Sequence, residues 1–273
     1  MADEALARPA FADERRQRIA EIVAVRGRAR IGELARLLGV TEPTIRKDLS
    51  ALQEQGALKR THGGAIAVRR LVERELSERE VTHRDAKAAI GRACLELLDD
   101  GDSVFLDNGT TVGTIATAIA ATPQLAPRHL VVLTNAVPVA TALADTPGVE
   151  HVLLGGQLRR ASGSIVGALA LNNLQRFAVG VAIVSASGFS EAGITVASAA
   201  EAEIKATVIA HAGRVVVAID HSKVGSTDFA RICELDEIDT LVIDRTTPEL
   251  EELCERNGIE LVLAPADAVA AGS

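Results

Sequence analysis

The sequence predicts an α/β protein of two unlike units: a small winged helix-turn-helix ahead of a larger unit built on a mostly parallel sheet. Three observations predict it. Residues 1–70 carry 14 Lys and Arg against 9 Asp and Glu, and the remainder carries 15 against 28, so a basic segment precedes an acidic body. The basic segment holds three short runs with apolar residues at helical spacing, whereas the acidic body alternates short apolar runs with helical ones. With 273 residues, 48% hydrophobic and 24% charged, the chain can fill two cores and is not intrinsically disordered. The expected divisions are 14–70 for the first unit, 71–87 for a linker and 88–265 for the second unit.

The basic unit comes first. Ile19, Ile22 and Val23 fall at i, i+3, i+4 in a stretch beginning near Asp13. Leu34, Leu37 and Leu38 repeat that spacing, and Ile45, Leu49 and Leu52 give i, i+4, i+7. The second helix ends at Gly39-Val40. The third opens with Thr41 as N-cap and Pro43 in the first turn, where a missing N–H costs little. With the apolar face of the third helix committed to a core, Thr44, Arg46 and Lys47 project on the other side, near the helix start, where a recognition helix meets base edges. Residues 57–68 read as two short extended runs around a Gly63-Gly64 turn, with Lys59, Arg60 and His62 beside it, which suits a wing on a phosphate backbone. The expected DNA contacts are therefore Thr41, Thr44, Arg46, Lys47, Lys59, Arg60, His62 and Gly63, and the expected partner is a double-stranded operator. One such module reads a short half-site, so a homo-oligomer of at least two copies is expected.

The acidic body follows a polar stretch from Leu71 to Lys87, read as a linker that transmits any signal between the units. Buried strands are expected at 103–106, 130–133, 151–154, 179–184, 215–219, 241–243 and 261–263, each followed by a helical stretch. In such a sheet ligands collect at the carboxyl ends of the strands. The first of these ends reads Asp107-Asn108-Gly109-Thr110-Thr111. There the glycine permits close backbone approach, the hydroxyls donate, and the following helix offers unpaired N–H groups to a phosphate. Thr134-Asn135, Gly155-Gly156 and the run from Asp220 to Lys223 end other strands. Together they supply hydroxyls, amides, carboxylates and an ammonium, an inventory that suits a small polyhydroxylated anion. Lys223 is expected near the phosphate, with Asp107 or Asp220 accepting from hydroxyls. Glu201, Glu203 and Lys205 either point into the same site or lie on the surface.

Other classes are excluded by what the chain lacks. No apolar run reaches the length of a membrane span, and residues 1–13 have no signal-peptide core. Cys94, Cys233 and Cys254 form no ligand or redox motif, the six histidines form no ligand pair, and neither a P-loop nor a dinucleotide turn occurs. No metal and no cofactor are expected, and a reducing cytoplasm fits. Aromatic residues are 2%, so recognition by stacking on single strands is not expected.

The sequence resembles the DeoR family of bacterial transcriptional regulators over nearly its whole length. The resemblance rests on residues 14–19, on the run Val40-Thr41-Glu42-Pro43-Thr44-Ile45-Arg46-Lys47-Asp48-Leu49, and on residues 55–65. In the second half it rests on Lys87, residues 107–111, Thr134-Asn135, Gly155-Gly156, residues 201–205 and residues 220–223. It implies a sensor fold similar to ribose-5-phosphate isomerase, an effector that is a phosphorylated sugar, and relief of repression at a carbohydrate-use operon. It also adds Lys87 to the expected effector residues. Two departures stand out: Asn108 where the family more often has a smaller residue, and Val184-Ser185-Ala186-Ser187-Gly188 without the acids that many relatives carry there. The alternative reading is a sugar-phosphate isomerase with an accessory DNA-binding unit. It would use Glu201 as base and Lys223 to steady an enediolate.

Overall fold

The protein was analysed as a computed structural model, which describes residues 15–16, 18–19, 22–23, 28–54, 58–61, 63–67, 81–122 and 129–264. The chain divides into two compact units, Met1–Glu73 and Arg74–Ser273.

In the first unit the described residues between 15 and 23 are helical. Then come β1 (Arg28–Arg30), α1 (Ile31–Leu38), α2 (Glu42–Glu54), β2 (Leu58–Thr61) and β3 (Gly64–Ala67). Gly39 takes φ 64°, the left-handed conformation that glycine adopts without a Cβ penalty, and this ends α1. Ile19, Val23, Leu34, Ile45, Leu49, Leu52 and Leu58 close into one core, as their spacing requires. Leu37 departs from expectation and is 55% exposed. At 100° per residue it lies off the stripe formed by Ile31, Leu34 and Leu38.

The strands β1, β3 and β2 form an antiparallel sheet in that order, with Leu58 opposite Ala67 and Thr61 opposite Gly64. In that register Gly64 belongs to β3, so the turn is not Gly63-Gly64. Gly64 is already paired, and a Cβ there would collide with the carbonyl oxygen of Ala29 on β1.

In the second unit the described helix α3 (Arg84–Leu95) begins inside the stretch expected to be linker. Ala86, Ala89, Ile90 and Cys94 give that helix a face to bury, and Gly91 lets it approach Thr114 closely. Residues 71–80 lie outside the described residues. The sheet strands are β4 (Ser103–Leu106), β5 (Leu130–Thr134), β6 (Val149–Leu153), β9 (Val179–Val184), β12 (Ala212–Ala218), β14 (Thr240–Ile243) and β15 (Glu260–Leu263). They lie in the order β6-β5-β4-β9-β12-β14-β15, and every pairing is parallel.

All seven expected strands are in this sheet, the third starting two residues earlier than expected and the fifth three. They read as continuous apolar runs because both faces are covered. On one face Val104, Leu106, Val132 and Ile183 pack under α3, α4 (Thr110–Ala121) and α5 (Val137–Leu143). On the other, Phe105, Leu133, Val184 and Val217 pack under α6 (Ala168–Leu174), α7 (Ala199–Ile209) and α8 (Pro248–Arg256). Five further strands of three or four residues make two small antiparallel sheets: β7 (Gln157–Arg159) with β8 (Ser164–Val166), and β10 (Gly188–Ser190) and β11 (Gly193–Val196) with β13 (Ala230–Cys233).

From β4 the chain steps outward through β5 to β6, then returns to place β9 on the other flank of β4 and steps outward the other way. The carboxyl ends of β4 and β9 therefore flank a topological switch point, where the connecting loops part and leave a crevice.

Candidate functional site

At the switch point the loop after β4 meets the helix α7. Asp107 and Asn108 are both buried. Glu201 and Lys205 stand one turn apart on α7, so they share a face, and both are buried there. Glu203, between them, points outward and is exposed. Lys205 Nζ pairs with Asp107 Oδ2 and donates to the Ser185 carbonyl at 3.0 Å. The Ser185 N–H, at the end of β9, donates to the same Asp107 oxygen at 3.0 Å. Asn108 Nδ2 donates to Glu201 Oε1 at 3.2 Å, and that carboxylate also accepts from Ser164 Oγ at 3.1 Å and faces Arg159 at 3.7 Å. Burial pushes the Asp107 carboxyl above its ordinary range, against the pull of Lys205 and the Ser185 and Asn108 N–H groups.

Four buried side-chain oxygens at these strand ends have no hydrogen-bond partner: Asp107 Oδ1, Asn108 Oδ1, Asn135 Oδ1 and Asp220 Oδ2. Each such atom costs free energy unless something else satisfies it. Gly109, Thr110, Ala136 and Ser162 border a cavity of about 690 Å³ that extends along α3, α4 and α5, with Arg84 and Arg92 on its wall. Gly109 stands at the N-cap of α4 with φ 137°, a conformation open to glycine alone, and a Cβ there would reach Ser185.

The run after β12 forms a second cluster. Asp220 is buried and accepts from both the N–H and the hydroxyl of Ser222, while Lys223 Nζ lies 4.0 Å away. Burial works against ionisation of Asp220, but Lys223, the Ser222 hydrogen bonds and His83 outweigh it and hold the carboxyl below its usual range. His83 packs edge-on against His221 at 5.0 Å, and His221 Nδ1 lies 2.7 Å from the buried Asp244.

The other expected effector residues are committed in part to the scaffold. Thr134 donates to the Leu106 carbonyl at 2.6 Å and accepts from the Ala136 N–H, tying β5 to β4. Asn135 Nδ2 donates to the Ile165 carbonyl. Gly156 permits close packing against Ile165 and Val166, and Gly155 lies exposed beside it. Lys87 is buried on α3, with its carbonyl accepting from Thr114. Thr110 and Thr111 form the first turn of α4. Glu201 and Lys223, the pair needed for isomerisation, have different partners in the structure.

Sequence reasoning missed Lys205 as the partner of Asp107, and Ser185, Ser164 and Arg159 altogether. The i, i+4 spacing of Glu201 and Lys205 was the one available signal; the others are contributed by strand ends and a hairpin remote in sequence.

In the first unit α2 begins at Glu42, leaving Thr41 just before it with its hydroxyl 3.0 Å from that of Thr44. Arg46 and Lys47 are exposed, and Arg46 pairs with Glu42 at 3.3 Å. Arg60 donates from its guanidinium to Ser50 Oγ at 2.6 Å, and its backbone N–H donates to Gln53, so the wing is pinned to α2. The Gly63 carbonyl accepts from the Ile31 N–H, which holds the turn against the start of α1. Lys59 is in β2; its side chain and all of His62 lie outside the described residues. Arg30, Arg36, Arg46 and Gly63 line one cleft together with Glu33 and Glu42, which brings Arg30 and Arg36 beside Arg46. Asp48, on the buried face of α2, pairs with Arg15 at 2.6 Å and Arg16 at 3.2 Å, which fixes the helix on its scaffold.

Comparison with known proteins decides the family. Residues 15–70 match the DeoR-like helix-turn-helix domain, and residues 82–245 match the DeoR C-terminal sensor domain. The chain belongs to the DeoR family. It is similar to the transcriptional repressor GlcR of Bacillus subtilis, at 35% identity over 94% of this chain and 98% of that one. It is also similar to the repressor CsqR of Escherichia coli, at 31% identity over 93% and 96%, and to the lactose phosphotransferase system repressor of Staphylococcus aureus, at 29% identity over 88% and 94%. Such relatives make this DeoR-family chain a regulator and not an enzyme. Among solved structures, ribose 5-phosphate isomerase A from Methanocaldococcus jannaschii aligns with 52% of the chain and 54% of its own at 15% identity and TM-score 0.38, a likeness that carries no functional weight. Among the described residues, no group of three or more His, Cys, Asp and Glu is placed to hold a metal, and no helix is long and apolar enough to cross a membrane.

Proposed function

We propose that this DeoR-family regulator represses carbohydrate-use genes from a double-stranded operator and releases it when a phosphorylated sugar fills the crevice between β4 and β9. The observation that carries the reading is the pairing, in one chain, of a winged module with Arg46 and Lys47 exposed on its third helix and a sheet whose switch point gathers four buried acceptor oxygens without a partner.

Thr44, Arg46 and Lys47 meet base edges, while Thr41, Lys59, Arg60, His62, Gly63 and the added Arg30 and Arg36 hold the phosphate backbone. In the second unit the N–H groups of Gly109, Thr110 and Thr111, with Lys223, take the phosphate. Asp107, Asn108, Asn135 and Asp220 accept from the sugar. Lys87, Thr134, Gly155, Gly156, Glu201 and Lys205 hold these groups in place. The divisions at 14–70, 71–87 and 88–265 then correspond to operator binding, transmission and sensing, in a cytoplasmic homo-oligomer whose two-fold symmetry matches paired half-sites.

Fluorescence anisotropy tests this with the full chain and a duplex from its own upstream region, at two salt concentrations, with a panel of sugar phosphates. The expected result is tight, salt-sensitive binding that one sugar phosphate reverses. Absence of duplex binding under every condition would overturn the reading.

A further inference from the structure

Among the described residues, His83 alone of the non-glycines takes a positive φ. At φ 54° and ψ 40° it is left-handed, immediately before α3, and its carbonyl accepts the Lys87 N–H at 3.0 Å to begin the helix. A residue with a Cβ holds that conformation only where its surroundings impose it. The His83 ring makes no capping hydrogen bond to α3. It meets the imidazole of His221 instead, edge-on with ring centres 5.0 Å apart.

His221 is itself anchored. Its backbone N–H lies 2.7 Å from one oxygen of the buried Asp244, after β14, and its Nδ1 lies 2.7 Å from the other. A carboxylate only accepts, so Nδ1 carries the proton. α3 packs against both β12 and β14, and the charges around the two rings come from those strand ends. Arg245 stands 3.8 Å from Asp244 and Lys223 4.0 Å from Asp220, and His83 is among the groups that act on the Asp220 carboxyl. With both rings neutral, two carboxylates are balanced by two cations. Protons on both rings place like charges 5.0 Å apart and leave two positive charges in excess. On α3 itself, Arg84 and Asp85 offset one another, Lys87 adds a cation one turn on, and the helix N-terminus carries a partial positive charge.

His83 is exposed and His221 partly so, which leaves both rings open to protons from water. Histidine is the side chain whose charge ordinarily changes between about pH 5 and pH 8. From this geometry we infer that His83 and His221 form a pH-sensitive latch at the start of the second unit. With neutral rings, their contact keeps residue 83 left-handed and holds the beginning of α3 to the carboxyl ends of β12 and β14. Protonation of both rings opens it and lets residue 83 relax. For its effect on the operator the inference rests on the reading of residues 71–87 as the transmitting stretch. An operator bound through a stretch no longer fixed at this end must bear the ordering cost itself, so opening weakens binding.

Hydrogen exchange on the full chain tests the latch at about pH 7.5 and about pH 5.5, with each rate referred to the intrinsic rate at that pH. The amides of Lys87 to Ile90 should lose about tenfold in protection at the lower pH, while those of Val179–Val184 in the middle of the sheet keep theirs. His83→Asn supplies the control, because asparagine tolerates the left-handed conformation and does not titrate. In that variant the same amides should change by less than about twofold. Anisotropy with the operator duplex should show binding about fivefold weaker at the lower pH for the unaltered chain, and less than about twofold weaker for His83→Asn. Equal protection at the two pH values, or a loss that His83→Asn shares, overturns the latch. Duplex affinity that falls alike in both proteins overturns its link to the operator. Absence of duplex binding at either pH counts against the operator reading, and the exchange result then decides the latch by itself.

Discussion

The groups proposed to meet the operator and the effector differ in burial. On α2 the Arg46 and Glu42 side chains are 54% and 51% exposed, whereas in the crevice Lys205 and Asp107 are 2% and 0% exposed. Substitutions on the exposed face should change binding with little effect on folding. In the crevice, the groups proposed to bind are also structural groups, because each charge out of water requires its partner. Such a site gains fixed geometry at the expense of tolerance to substitution.

The comparison is tested first where it predicts the most. Lys205→Met leaves Asp107 buried and unpaired and should destabilise the second unit by about 3–5 kcal/mol, measured by urea unfolding. The double variant with Asp107→Leu should recover much of that loss; if both variants unfold alike, the pair does not organise the crevice. Next, Arg46→Ala should weaken binding of the duplex by about 1–3 kcal/mol in an anisotropy titration without lowering the melting temperature. A variant that melts early instead would place Arg46 in the scaffold.

The third test uses pH. The folded-state pKa of Asp220 lies below the unfolded value of about 3.9, so its stabilisation is complete above that value and is lost as pH falls through the folded value. Asp107, with its carboxyl pushed up, acts with the opposite sign, and its contribution is lost as pH rises. Asp220→Asn should therefore flatten the acid side of the stability profile below about pH 4, followed by circular dichroism; an unchanged acid limb would assign the effect elsewhere. The smallest effect is expected at Glu42→Gln, which removes an exposed ion pair with Arg46 and should shift stability by less than about 0.5 kcal/mol.

The units also differed in how far their sequences could be read. The seven strands of the parallel sheet were legible because burial on both faces makes each an apolar run, as in Val179–Val184. The small antiparallel strands were not: Gln157–Arg159 and Gly188–Ser190 have three residues each and no such run. In the first unit the core spacing was legible except at Leu37, and Gly64 proved to belong to β3, where it makes a close approach to Ala29, and not to the turn. The crevice was legible where one loop contributes consecutive residues, as at 107–111. It was hidden where partners come from far along the chain, as Lys205 does for Asp107, 98 residues away.

The central claim is that operator binding and crevice occupancy are linked. It is tested most directly by calorimetric titration of the releasing sugar phosphate into the full chain, free and saturated with its operator duplex. Linkage requires the duplex to weaken the sugar phosphate by the same factor by which the sugar phosphate weakens the duplex. Equal affinity in both titrations would contradict the account.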